Sequence, residues 1–162
     1  MRLDAFPDGG TLFLDANIFL YHCWGQSPSC RYVIGRIETG LIQGVTSTTI
    51  LNETTHRLLL AEVVATHPRP IRHPARFLKR HPEVVRTLSG TWRAIERLAR
   101  LPLQVVGVTP AIWHEAVAIS RELGLLMNDA LTVAAMRAHH LVHLASNDRD
   151  FARVHGLTLW RP

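Results

Sequence analysis

A chain of 162 residues, 47% of them apolar, has the length for one domain and the material for a substantial core. Its formal charge is +5 and Lys79 is its only lysine, so the excess is arginine, which suits a phosphate-bearing partner or plain solubility. Two cysteines without CxxC spacing exclude a zinc ribbon or a disulfide scaffold, MRLDAFPDGG lacks a signal peptide's apolar centre, and no run reaches the roughly 18 apolar residues of a membrane span. A cytoplasmic protein with free thiols is expected.

In chain order, TLFLD predicts a short strand ending on Asp15, with a helix from Ala16 to Trp24 behind it. A second helix is expected from Ser29 to Glu38, closed by Gly40, and a brief strand at Val45-Thr46. The Ser/Thr cluster that follows can cap a helix from about Thr48 to Ala65. Then THPRPIRHPARFLKRHPEVVR breaks the pattern with prolines and basic residues, giving an irregular segment with room for a short helix. A longer helix is predicted from Pro82 to Arg100, with proline at its start. LQVVGV is a strand, Pro110 to Leu123 a helix stopped by Gly124, and Asn128 is the expected cap of a helix to His140. LVHLAS and LTLW complete the strands. Alternating strands and helices imply an α/β fold with a central parallel sheet of four to five strands covered on both faces. No repeat or long linker divides the chain, so residues 1–162 are expected to form one domain, with a basic Pro/His-rich segment at about 66–82.

In such sheets ligands bind beyond the carboxyl ends of the strands. Asp15 ends the first strand, Glu53 lies early in the helix after the second, Asp129 opens the helix in MNDALTVAAM, and Asp148 follows the strand in LASNDRDF. Carboxylates brought together there would repel one another unless cations were bound, and hard oxygen donors select Mg²⁺ or Mn²⁺. That repulsion would lift one or more of them above the usual carboxylate range. Each also has a plain structural role open to it. Asp129 can favour a helix N-terminus, Asp148 and Asp150 can be turn or cap residues, and Glu53 can pair with Arg57 one helical turn on. Asp15 can cap the next helix, although Asn17 would do so without setting a charge beside the core.

The segments LDANIFLY, LNETTHRLL, NDALTVAAM and LASNDRDF, in that order, resemble PIN-domain nucleases, in particular the VapC-like toxins of toxin–antitoxin pairs. The resemblance implies a PIN-like three-layer sandwich. It makes Asp15, Glu53, Asp129 and Asp148 the catalytic acids and the ligands of one or two Mg²⁺ or Mn²⁺ ions. Asn17 and Ser146 fall where supporting polar groups stand, and Asp150 is a less direct neighbour that holds the loop. The implied activity is metal-assisted endonucleolytic hydrolysis of RNA, leaving a 5′-phosphate and a 3′-hydroxyl. A cognate antitoxin and a homodimer are the implied partners. The alternative is a PIN module without activity that binds RNA or a protein.

Rival chemistries lack their residues. Receiver domains and haloacid-dehalogenase-like phosphatases need a lysine near the acids, and Lys79 lies in the basic segment; the phosphatases also want an aspartate where Asn17 stands. There is no GK[ST] for a P-loop, and His114 heads HEA rather than an HExxH zinc signature. None of His56, His114, His139, His140 or His143 has a partner at catalytic spacing. Half of the 18 Lys and Arg lie between Arg69 and Arg100, which makes Arg72, Arg76, Lys79 and Arg80 candidate contacts to an RNA backbone. A solvated helix face or an antitoxin-docking face explains the same charges. Trp92 and Trp113 suit a core or an interface better than base stacking, and the stretch around Trp24 suits a dimer contact.

Overall fold

The computed structural model describes residues 1–162. Five parallel strands form one sheet in the order β3-β2-β1-β4-β5. They are β1 (Thr11–Leu14), β2 (Gln43–Ser47), β3 (Gln104–Val106), β4 (His143–Ala145) and β5 (Thr158–Trp160). β1 lies at the centre, with Phe13 beside Val45 of β2 on one side and Leu144 of β4 on the other. Its consecutive residues Leu12, Phe13 and Leu14 are all fully buried. Side chains alternate between faces along a strand, so both faces of β1 are covered and the sheet is the middle layer of three.

The helices are α1 (Ala16–Cys23), α2 (Pro28–Glu38), α3 (Thr48–Thr66), α4 (Pro74–Arg80), α5 (Pro82–Thr87), α6 (Ser89–Ala99), α7 (Pro110–Leu123) and α8 (Met127–Ala138). Most begin on local signals. Ser27 and Ser47 cap α2 and α3 through their hydroxyls, and Thr109 caps α7 with Pro110 in its first turn. Gly124 stops α7 at φ 65°, a left-handed conformation that a residue with a Cβ adopts at a cost. No helix is long and apolar enough to cross a membrane.

Two local expectations are corrected. The helix foreseen from Pro82 to Arg100 is two helices, broken at Leu88. The break has a distant cause: the Glu62 carboxylate of α3 accepts hydrogen bonds from the N–H groups of Gly90 (2.9 Å) and Thr91 (2.5 Å), capping a new helix there. Asn128 does not cap α8: Leu126 occupies the cap position without a side-chain bond, and Asn128 lies inside the first turn. Of the two residues that could cap α1, Asp15 does so, its Oδ1 accepting from the Ala16 N–H at 2.7 Å.

The main core spans the sheet and its flanking helices, while a satellite cluster of Val63, Leu78 and Leu88 fastens α4 and the α5–α6 junction to the far end of α3. The basic segment is carried on that satellite. Its Arg72, Arg76, Lys79 and Arg80 are all exposed.

Candidate active site

Strand order brings the acids together. The chain winds from β1 out to β3 on one side and returns to β4 and β5 on the other, so the switch point lies between β1 and β4. Asp15 leaves β1 there, its N–H still in the ladder through the Ala145 carbonyl (3.1 Å). Just below it, the buried Thr46 hydroxyl donates to the Leu14 carbonyl (3.0 Å) and pins β2 against β1.

The Asp15 carboxylate is fixed on both oxygens. Oδ1 serves the α1 N-terminus, while Oδ2 accepts from Asn17 Nδ2 (2.5 Å) and from the Ser146 hydroxyl (2.6 Å). Asn17 is held in turn by the Asn147 N–H, which donates to its Oδ1 at 3.1 Å, and the Ser146 oxygen accepts from the Asp148 N–H at 3.0 Å. One connected set of bonds therefore couples the ends of β1 and β4.

Asp15, Glu53, Asp129 and Asp148 line a single cavity of about 70 Å³, together with Asn17, Thr49, Asn128, Thr132 and Arg57. Glu53 is presented by the second turn of α3, Asp129 by the first turn of α8, and Asp148 by the turn after β4. Burial pushes the Asp15 carboxyl above the usual carboxylate range, against the lowering effect of its bonds from Ser146 and Ala16, and the charges of Glu53 and Asp148 add to the rise. Asp129 is pushed up to about 6, first by burial and then by the charges of Asp148, Asp15, Asp150 and Glu53. Desolvation is thus the larger cause and mutual repulsion, the cause foreseen from sequence, the second.

No three of these side chains close on one point as a finished ligand cage. The donor set is nonetheless all oxygen and strongly anionic, the chemistry that fits Mg²⁺ or Mn²⁺ and not softer metals. No histidine lines the cavity. His143 accepts from the Trp160 indole (3.3 Å), and His114 stacks edge-on against Trp113.

The other expected residues lie further out. Asp150 is not in the cavity; it pairs with Arg153, which also donates to the Gly124 carbonyl (3.3 Å) and so ties this turn to the end of α7. Arg72, Arg76, Lys79 and Arg80 lie on α4 and the segment before it, which pack on Leu59, Leu60 and Val63 of α3, roughly 9–15 Å along the helix axis from Glu53 at 1.5 Å rise per residue. Sequence reading assigned Asn128 to a cap and Arg57 only to an ion pair, and passed over Thr132. The helical spacing of Asn128, Asp129 and Thr132, and of Glu53 and Arg57, was the signal that would have placed them on the acids' face.

The PIN domain family model matches residues 12–157 of the chain. The fold is similar to VapBC2 from Rickettsia felis bound to a promoter DNA fragment, with a TM-score of 0.63 and 15% identity over 93% of this chain and 98% of that one. PAE2754 from Pyrobaculum aerophilum gives a TM-score of 0.60 and 16% identity over 92% and 88% of the two chains. Mycobacterium tuberculosis VapC20, a toxin that cleaves the sarcin-ricin loop, gives 0.57 and 14% identity over 87% and 92%. No curated protein matches.

Proposed function

The chain belongs to the PIN-domain family, and from that premise we propose that it is an Mg²⁺- or Mn²⁺-dependent endoribonuclease, the toxin of a toxin–antitoxin pair. The observation that carries the reading is the convergence of Asp15, Glu53, Asp129 and Asp148 on one small cavity at the carboxyl edge of the sheet. Asp15 and Asp129 would hold one or two ions, with Glu53 and Asp148 completing the set. Bound there, an ion of this kind supplies a more acidic water and positive charge at the phosphate.

The protein's own part is orientation. Asn17 and Ser146 fix the Asp15 carboxylate, and the Ser146 hydroxyl, by also accepting from the Asp148 N–H, sets the start of the turn that presents Asp148. Asp150 acts at one remove, through its N–H to Asp148 Oδ1 (2.8 Å) and its pairing with Arg153. Hydrolysis leaves a 5′-phosphate and a 3′-hydroxyl, and no side chain becomes a covalent nucleophile.

The similar structures that are VapBC complexes, from Rickettsia felis and Salmonella typhimurium among others, support an antitoxin as partner, and a homodimer is part of the same reading. Residues 1–162 form one domain on this view, at work in the cytoplasm, where reducing conditions keep Cys23 and Cys30 as thiols. The exposed Arg72, Arg76, Lys79 and Arg80 are its distal contacts to the RNA backbone.

The test incubates the purified protein with RNA in Mn²⁺ or in EDTA, beside Asp15→Asn and Asp129→Asn. Cleavage should need the metal and fall at least about a hundredfold in both variants. Equal cutting by all three would mean that the cleavage does not come from this site, and no cutting while calorimetry shows Mn²⁺ bound would leave a PIN module that binds RNA or protein without hydrolysing it; either overturns the reading.

A further inference from the structure

Among the side chains that line the acid cavity, Arg57 alone is cationic. It stands one turn after Glu53 on α3, and its one polar partner is Glu53, Nη1 to Oε1 at 3.4 Å. That is long beside the 2.7–2.9 Å of a charge-assisted hydrogen bond, and it leaves the rest of the guanidinium fork unused. The side chain is half exposed at 49%, and an exposed pair four residues apart contributes only about 0.3–0.5 kcal/mol. Stability is therefore a weak reason for an arginine here. Of the other arginines along this edge of the sheet, Arg153 is engaged with Asp150 and the end of α7 and Arg161 with Asn147 Oδ1 at 3.1 Å, while the exposed Arg149 of the turn after β4 does not line the cavity.

A phosphodiester that enters this cavity meets carboxylates on every side, and those that do not face a metal ion repel it. A guanidinium at the mouth, with free donors in a planar fork, offsets that repulsion and matches two non-bridging oxygens at once. We propose that Arg57 grips substrate, its fork taking the non-bridging oxygens of an RNA phosphate at the mouth of the cavity, a role that rests on the nuclease reading above. The Glu53 contact is then what keeps the fork aimed at the cavity until RNA arrives. Arg57 differs in task from the exposed basic cluster at the far end of α3. That cluster meets the strand at a distance, whereas Arg57 meets the phosphate beside the acids.

The experiment measures binding of a fluorescently labelled 12-nucleotide single-stranded RNA by anisotropy, with Ca²⁺ replacing Mn²⁺, for wild type, Arg57→Gln, Arg57→Lys and the control Arg137→Gln, an exposed α8 arginine that pairs with Glu115 of α7 (3.6 Å) outside the cavity. Mn²⁺ affinity is measured separately by calorimetry, and Mn²⁺-dependent cleavage in parallel. Arg57→Gln should bind RNA about tenfold more weakly. The slope of its log affinity against log salt should be shallower by about 0.7, one single-strand phosphate contact, with Mn²⁺ affinity unchanged or tighter. Arg57→Lys should keep the slope and recover only part of the affinity, because it keeps the charge and loses the fork. Arg137→Gln should match wild type. If Arg57→Gln binds RNA like wild type while wild type still cleaves, this proposal fails and the nuclease reading stands. If the variant loses Mn²⁺ along with RNA, Arg57 positions Glu53 and does not touch substrate. A wild type that neither binds nor cuts RNA overturns both.

Discussion

Asp129 is pulled two ways. The first turn of α8 favours its negative charge, yet burial and then its acidic neighbours raise its pKa from 3.8 to about 6. The folded chain therefore keeps a proton over a range where the unfolded chain has lost it. Stability from this group is fully present below about pH 4 and lost as pH rises through 6, on the order of 1–2 kcal/mol near pH 7 once solvent screening of a half-buried group is allowed for. In EDTA, the stability of wild type relative to Asp129→Asn should fall by that order between pH 4 and 7, as denaturant titrations can follow. A difference that does not change with pH would mean that Asp129 is not enclosed. Asp15 was legible in the sequence for a related reason, a charge inside an apolar run. Arg57 was not, because a Glu–Arg pair one turn apart looks the same on any exposed helix, and only the packing of α3 against the carboxyl edge of the sheet shows which way it faces.

Among the elements, α6 shows what local patterns miss. Pro82 and the run behind it fit one helix to Arg100, and nothing near Leu88 forbids it. The break is imposed by Glu62, 28 residues upstream of Gly90, and a Cβ on Gly90 would come within 2.9 Å of that carboxylate. By contrast α7 carries its cap, its first-turn proline and its terminal glycine within its own sequence, so its bounds were readable. Desolvation alone would raise the Glu62 carboxyl, but the bonds from Thr91 and Gly90, with the Arg93 charge, outweigh it and hold the pKa below its usual value. The stabilisation is thus present above the ordinary carboxylate pKa and lost as pH falls through the lowered one. Glu62→Gln should cost about 1–2 kcal/mol near neutral pH, with little difference from wild type in strong acid, measured by urea unfolding. A constant penalty at all pH values would show that the loss is one of packing and not of charge.

At the scale of the whole molecule, strand–helix alternation and the placement of acids at strand ends were enough to foresee a parallel sheet with a carboxylate edge. Strand order was not, since it depends on which hydrophobic faces meet, and neither was the placing of the acid cavity and the basic satellite on opposite halves of α3. Folding sets the acids together without a cation among them except Arg57, so divalent metal should stabilise the whole fold. At a hundred times its dissociation constant, Mn²⁺ should add about 2.7 kcal/mol, or roughly 5–10 °C in melting temperature at this size. Asp15→Asn and Asp129→Asn should each blunt that rise; an equal rise in all three would place the ion elsewhere. The bonds from Ser146 to Asp15 and Asp148 have a consequence in time. Asp15, Glu53 and Asp129 are made before β4, but the hydroxyl that fixes the first of them, and Asp148 itself, come only after Ala145. A nascent chain that stops short of that point holds three of the acids, and of the groups that fix Asp15 only Ala16 and Asn17. On the nuclease reading, a product truncated before Ser146 would hold an incomplete site.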